Sequence, residues 1–187
     1  MFEPDWQSAE MRLYDACRDA LASFSRENGS DVVSFFAFDT EPSAGQVILA
    51  FDTRENEVVQ AKQTHDDAIA VQRLKGEAPG GFHTAKYYAT RTPLTLHSSN
   101  TGDFAHAQYR SVAFPDWAEC ARADDYPEPE PGQGDYLEGH VIVMFRRVFD
   151  RLLRDDAFAL LLRAVPFRLG FNFHDGELVV MHLVGLG

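Results

Sequence analysis

Apolar residues recur along the first thirty positions at Leu13, Cys17, Ala20, Leu21 and Phe24, the i, i+4, i+7, i+8, i+11 spacing of one helical stripe, so residues 8–28 are predicted to form a helix that ends at Asn28-Gly29. The pattern then changes to β-rich runs, Val32 to Asp39 and Gln46 to Phe51, separated by the turn-forming stretch Glu41 to Gly45, which signals a hairpin. Helical spacing returns after Asp52-Thr53. Asp52 or Thr53 caps this second helix, with Glu55 and Glu57 in its first turn and Val58, Val59, Ala61, Ala68, Ile69 and Val71 beyond.

Further on, Thr84–Thr90, Leu94–His97 and Ala107–Val112 have short β-like patterns, and Phe114-Pro115-Asp116-Trp117 starts a short helix with Pro115 in its first turn. Val141, Met144, Phe145, Val148 and Leu152 predict a long helix whose polar face sets Asp150 between Arg146 and Arg154 at i−4 and i+4. Asp155-Asp156 is expected to cap another short helix over Phe158, Leu161, Leu162 and Val165, stopped by Pro166. The stretch Phe167 to Val184 reads as a hairpin turning at Asp175-Gly176, with His174 opposite Glu177. One of its faces then carries Leu169, Phe171, Phe173, Leu178, Val180 and His182, and both strands are expected in the core. The sum is an α+β fold, a largely antiparallel sheet with helices packed on it, in a single domain spanning residues 1–187.

The tripeptide Phe-Asp-Thr occurs twice, at Phe38–Thr40 and Phe51–Thr53. Paired carboxylates are a common route to acid/base or metal chemistry. In a hairpin turning at Pro42 to Ala44, however, Asp39 faces Val47 beside the turn and Asp52 lies by Ser34 at the open end, roughly 17 Å away at 3.3 Å per residue. A one-residue slip puts both on one face without closing that distance. Asp39-Thr40 is therefore read as the start of a turn and Asp52-Thr53 as a helix cap.

Composition narrows the function classes. With 187 residues, 45% apolar content and 23 aromatics (15 Phe, 6 Tyr, 2 Trp), the chain is long and apolar enough for a sizeable core. The first residues lack a basic segment followed by an apolar run, and no uncharged apolar stretch approaches the roughly 20 residues of a membrane helix, so a soluble cytoplasmic protein is expected. Cys17 and Cys120 are expected as buried free thiols. A net charge of −12 argues against a phosphate-binding surface and for solubility or a basic partner. Glycine-rich Gly76–Gly81 has no Gly-Lys-Ser/Thr after it and is no phosphate cradle.

Between Pro115 and Glu138 eight acids face the single base Arg122, so 24 residues carry −7 of the −12. Within that span, residues 123–135 alternate Pro127, Pro129 and Pro131 with acids, the composition of an extended, uncored loop. Proline lowers the ordering cost of such a loop, and Asp116, Asp124, Asp125, Tyr126, Glu128 and Glu130 are the candidate binding residues, offering carboxylates and a phenol to a basic surface. No cofactor is expected. The rival reading is a small hydrolase or metal-dependent enzyme using His83, His97 or His106, which lie on consecutive segments but lack any compact ligand spacing. His65-Asp66-Asp67 reads as an exposed helix face and His182 as a satisfied core histidine. No nucleophile signature is present.

Phe36–Thr40, the Asp52-Thr53 step into a helix, and Pro115-Asp116-Trp117 occur in an order that resembles an uncharacterised bacterial domain-of-unknown-function family. Members of such families look like immunity proteins of bacterial toxin systems, similar in role to the SUKH superfamily. The resemblance implies a cytoplasmic binding protein that neutralises a cognate toxin without catalysis, and it supplies no catalytic residues.

Overall fold

The computed structural model describes residues 3–75, 100–122, 136–173 and 176–185. In chain order the elements are α1 (Trp6–Glu27), β1 (Val33–Glu41), β2 (Gln46–Thr53), α2 (Arg54–Lys75), β3 (His106–Ala113), α3 (Pro115–Arg122), α4 (Tyr136–Arg154), β4 (Arg163–Phe173) and β5 (Val179–Val184). The four helices pack on an open five-stranded sheet of order β3-β2-β1-β4-β5, in which only the β1–β4 pair is parallel. This is the α+β class expected. Among the described residues no helix is long and apolar enough to cross a membrane. The expected strands at 84–90 and 94–97 and the acidic loop at 123–135 lie outside the described residues.

Helix α1 begins where Asp5 Oδ1 accepts the Ser8 N–H at 3.0 Å, and its predicted stripe is the buried one, widened by Tyr14. That stripe and the apolar face of α4 cover one side of the sheet, where Phe36, Phe38, Phe51, Leu169 and Phe171 meet Phe145 and Phe149. Strand β1 is buried from Val33 to Phe38 on both faces. Its unbroken apolar run, rather than strict alternation, is what a strand covered on both sides requires. Phe35 and Ala37 point to the second side, into a smaller cluster with Ala50 and Phe104.

The β1–β2 register differs from expectation by one residue, with Asp39 opposite Ile48 and Asp52 opposite Phe35. The cause is the turn, which takes four residues because Gly45 joins Pro42–Ala44 in a left-handed conformation at φ 66°. Both aspartates consequently share the second face. The cap of α2 is Thr53, whose Oγ1 accepts the Asn56 N–H at 3.1 Å, and not Asp52.

Two expectations fail at the C-terminal end. Residues 161–166 are not helical: a single 3-10 turn, Ala157–Leu160, leads directly into β4. Pairing with β1 claims this segment, the Val33 N–H donating to the Leu162 carbonyl at 2.8 Å. Pro166, which has no N–H to give, falls in the register break between Val33↔Arg163 and Phe35↔Arg168. Asp156 precedes the turn without a side-chain cap bond, so the expected Asp155-Asp156 cap is also absent.

In the C-terminal hairpin the expected register holds from Phe167↔Val184 to Leu169↔His182, then slips at a bulge to Gly170↔Val180 and Phe171↔Val179. The bulge moves Val180 to the second face, and Leu178 packs with the smaller cluster instead of the main core. Phe167, Leu169 and Phe171 of β4 are core, whereas no residue of β5 is buried, which corrects the assignment of both strands to the core. His182 is correspondingly a rim residue, its Nε2 3.4 Å from Asp150 Oδ1, so among the described residues Asp150 pairs across the fold and not with Arg146 and Arg154 of its own helix face, as expected from the spacing. Cys17 and Cys120 are buried free thiols as expected, and burial pushes the Cys17 thiol well up.

Candidate functional site

The repeated aspartates serve one segment and make no dyad. Asp39 Oδ2 lies 2.9 Å from the Thr101 hydroxyl, whose single proton is also within reach of Asn172 Oδ1 at 2.8 Å. Asp52 Oδ1 accepts from the Ala105 N–H at 3.2 Å, the Thr53 N–H at 2.9 Å and Asn56 Nδ2 at 2.7 Å. Asn56 Nδ2 also donates to the Asp103 carbonyl at 2.8 Å. Four positions of β2 separate the Asp39 partner Ile48 from Asp52, about 13 Å at the strand rise. The two carboxylates thus clamp the ends of residues 101–105 to the second face of the sheet, as anchors in the structural sense expected, although Asp39 anchors a distant segment and not its own turn.

Beside Asp52 a buried carboxylate is paired with two partly exposed arginines. Glu57, 2% exposed, accepts from Arg168 at 2.8 Å with one oxygen and from Arg54 at 3.0 Å with the other. Asp52 Oδ2 is buried without a hydrogen bond. Burial, with a smaller contribution from the Glu57 charge, raises the Asp52 carboxyl above its ordinary value against the pull of its three donors. A folded-state value above the unfolded one means that protonated Asp52 favours the fold. Its contribution is full below the unfolded value, about 3.9, and is lost as pH rises through the folded value. Asp52→Asn keeps an acceptor for the same donors and removes the charge, so urea unfolding of the variant relative to the natural chain should show an advantage that is small near pH 3 and grows as pH rises toward neutrality.

An open concavity lies elsewhere, a groove of about 670 Å³ lined by Asp15, Arg18, Asp19, Ala22, Asp155, Asp156, Ala157 and Leu160. Helix α1 supplies Asp15 and Asp19 one turn apart on its exposed side, and the turn after α4 supplies the other two aspartates. Two bonds hold these walls together: the Tyr14 hydroxyl donates to Asp155 Oδ2, and Ser25 Oγ donates to the Leu160 carbonyl at 2.7 Å. Tyr14 is held further by the Arg151 guanidinium, 3.7 Å above its ring. The hydrogen bond to Asp155 is the main cause that raises the Tyr14 phenol, so it stays a donor through the neutral range. The groove sets four aspartates against Arg18, with Asp155 held by Tyr14, and its charge suits cations.

Of the binding residues expected from the sequence, Asp116 is the one within the described residues. It is exposed in the first turn of α3, on a small concavity shared with Arg12 and Trp117, far smaller than the α1 groove. Asp124, Asp125, Tyr126, Glu128 and Glu130 lie outside the described residues, as do His83 and His97. His106 faces Asp31, Nε2 to Oδ2 3.3 Å, with the Phe24 ring edge-on to it. Among the described residues no group of three or more His, Cys, Asp or Glu side chains is arranged to hold a metal ion. The sequence offered one sign of the groove, the Asp15-x-x-x-Asp19 spacing on the polar side of a helix. Asp155 and Asp156, some 140 residues later, join it only through tertiary packing.

Comparison with protein-family models, with curated proteins and with solved structures gives no match.

Proposed function

We propose that this chain is a non-enzymatic binding protein that captures a basic protein partner, acting as an immunity protein that neutralises a basic toxin domain. The observation that carries the reading is the acidic groove, whose four aspartates are set by α1 and the turn after α4 rather than on free side chains alone. A preorganised wall loses little freedom on binding, and its charge steers a basic partner inward. The −12 net charge, with −7 of it between Pro115 and Glu138, adds to the attraction for a basic partner. The resemblance carried by Phe36–Thr40, Asp52-Thr53 and Pro115–Trp117 supports the immunity role.

Stopped-flow association with the stoichiometric basic protein that the chain retains from its native host at low salt tests this reading. Asp15→Asn, Asp19→Asn and Asp156→Asn together should slow association at low ionic strength at least tenfold and flatten its salt dependence, with the melting temperature nearly unchanged. The Asp124→Asn, Asp125→Asn, Glu128→Gln, Glu130→Gln variant reports separately on the acidic loop. Unaltered rates and salt dependence in both variants would remove the electrostatic reading.

A further inference from the structure

Four of the eleven exposed large apolar side chains among the described residues lie near the start of β4 and along β5: Val165, Val179, Val180 and Leu183. Among the described residues strand β5 is an edge of the sheet. Edges usually carry lysine, proline or an inward charge that discourages pairing with another chain. Val179–Val184 has none of these, and its only polar side chain, His182, is turned to Asp150 of its own chain. The opposite edge, β3, is guarded: it bears Arg110, its Tyr109 hydroxyl donates to Glu27, and its His106 faces Asp31. An apolar, uncharged edge in a chain of net charge −12 offers nothing to the basic partner of the groove and is where a second copy meets least repulsion.

We propose that β5 is a self-association edge, two copies pairing antiparallel through Val179–Val184 about a two-fold axis to join their five-stranded sheets into one. The register is self-complementary. A two-fold axis midway along the strand sets Val179 against Val184, Val180 against Leu183 and Met181 against His182, each pair occurring twice. The bulge gives this pattern its value: Val180 is paired with Gly170 and Leu183 with Arg168, so both project from the second face although an odd number of positions separates them. Each copy's Val180 then covers the other's Leu183, the kind of cross-strand apolar contact that stabilises sheets. The free N–H and C=O groups of the edge find partners in the same step. Val165, 74% exposed and adjoining Val184 and Gly185, extends the apolar surface beyond the strand end.

Sedimentation velocity of the natural chain over a concentration series decides the question. A mass near twice 21.0 kDa is expected, with dimer favoured as salt rises because two −12 chains repel. Val180→Lys with Leu183→Lys should give a monomer with an unchanged circular dichroism spectrum, since both side chains are exposed. Hydrogen exchange provides a variant-free measure, with protection of β5 amides falling on dilution of the natural chain. A natural chain that stays monomeric throughout, or a doubly substituted chain that keeps the doubled mass, overturns the proposal. Neither outcome bears on the groove, whose binding weakens with salt where this association strengthens.

Discussion

Phe38→Ala is expected to lower the free energy of unfolding by about 3 to 5 kcal/mol, the usual cost of emptying a buried phenylalanine site. Phe38 is fully buried at the middle of β1, its ring stacked on Phe149 with centroids 4.4 Å apart and set 4.8 Å from Phe145. Its neighbours are held by α4 above and by the flanking strands on both sides, so collapse into the vacated space is restricted. Native domains are stable by about 5 to 15 kcal/mol, and a loss of this size consumes a large share of that margin. Urea titration followed by tryptophan fluorescence measures it. A change below about 1 kcal/mol would mean that the Phe38–Phe149 stack is not the centre of the core.

Arg168→Ala should have an effect of similar order, about 3 kcal/mol, for an electrostatic reason. The substitution leaves Glu57, 2% exposed, with only the half-exposed Arg54 as its cationic partner. Removing one member of a buried pair strands the other charge in a poorly solvating site. Glu57→Gln combined with Arg168→Met should recover much of the loss, because the cost lies in the unpaired charge and not in the missing attraction. A double-mutant cycle by denaturant unfolding checks both statements. Additive losses would show that Glu57 and Arg168 are uncoupled.

These two sites also mark what the sequence made legible. The run Val33 to Phe38 declared a strand by its β-branched and aromatic content, and Glu41–Gly45 declared the turn, because both signals are local. Arg168 could not be recognised as the partner of a buried carboxylate, since Glu57 reaches it on α2 from more than 100 residues earlier in the chain. Leu161–Val165 carried apolar residues at helical spacing, yet the free hydrogen-bonding edge of β1 drew the segment into the sheet. The cap was legible only as a choice between Asp52 and Thr53, because adjacent Asp and Thr both satisfy the capping preference and only the backbone path selects Thr53. The groove is absent from the sequence reading, since Asp15 and Asp19 are ordinary polar positions of α1 and Asp155-Asp156 reads as a cap until packing brings it beside them.

The parallel pairing of β1 with β4 has a consequence for how the protein is made. Val33 finds Arg163 across 130 positions, and no intervening strand occupies that side of β1. Hairpins form in microseconds, so β1 and β2 can associate soon after both leave the ribosome. At about 5 to 20 residues per second, synthesis then continues for roughly 5 to 22 s before β4 begins to emerge. Throughout that interval the apolar β1 keeps one edge bare, so the partly made chain passes through a period of exposure in which chaperone binding competes with aggregation.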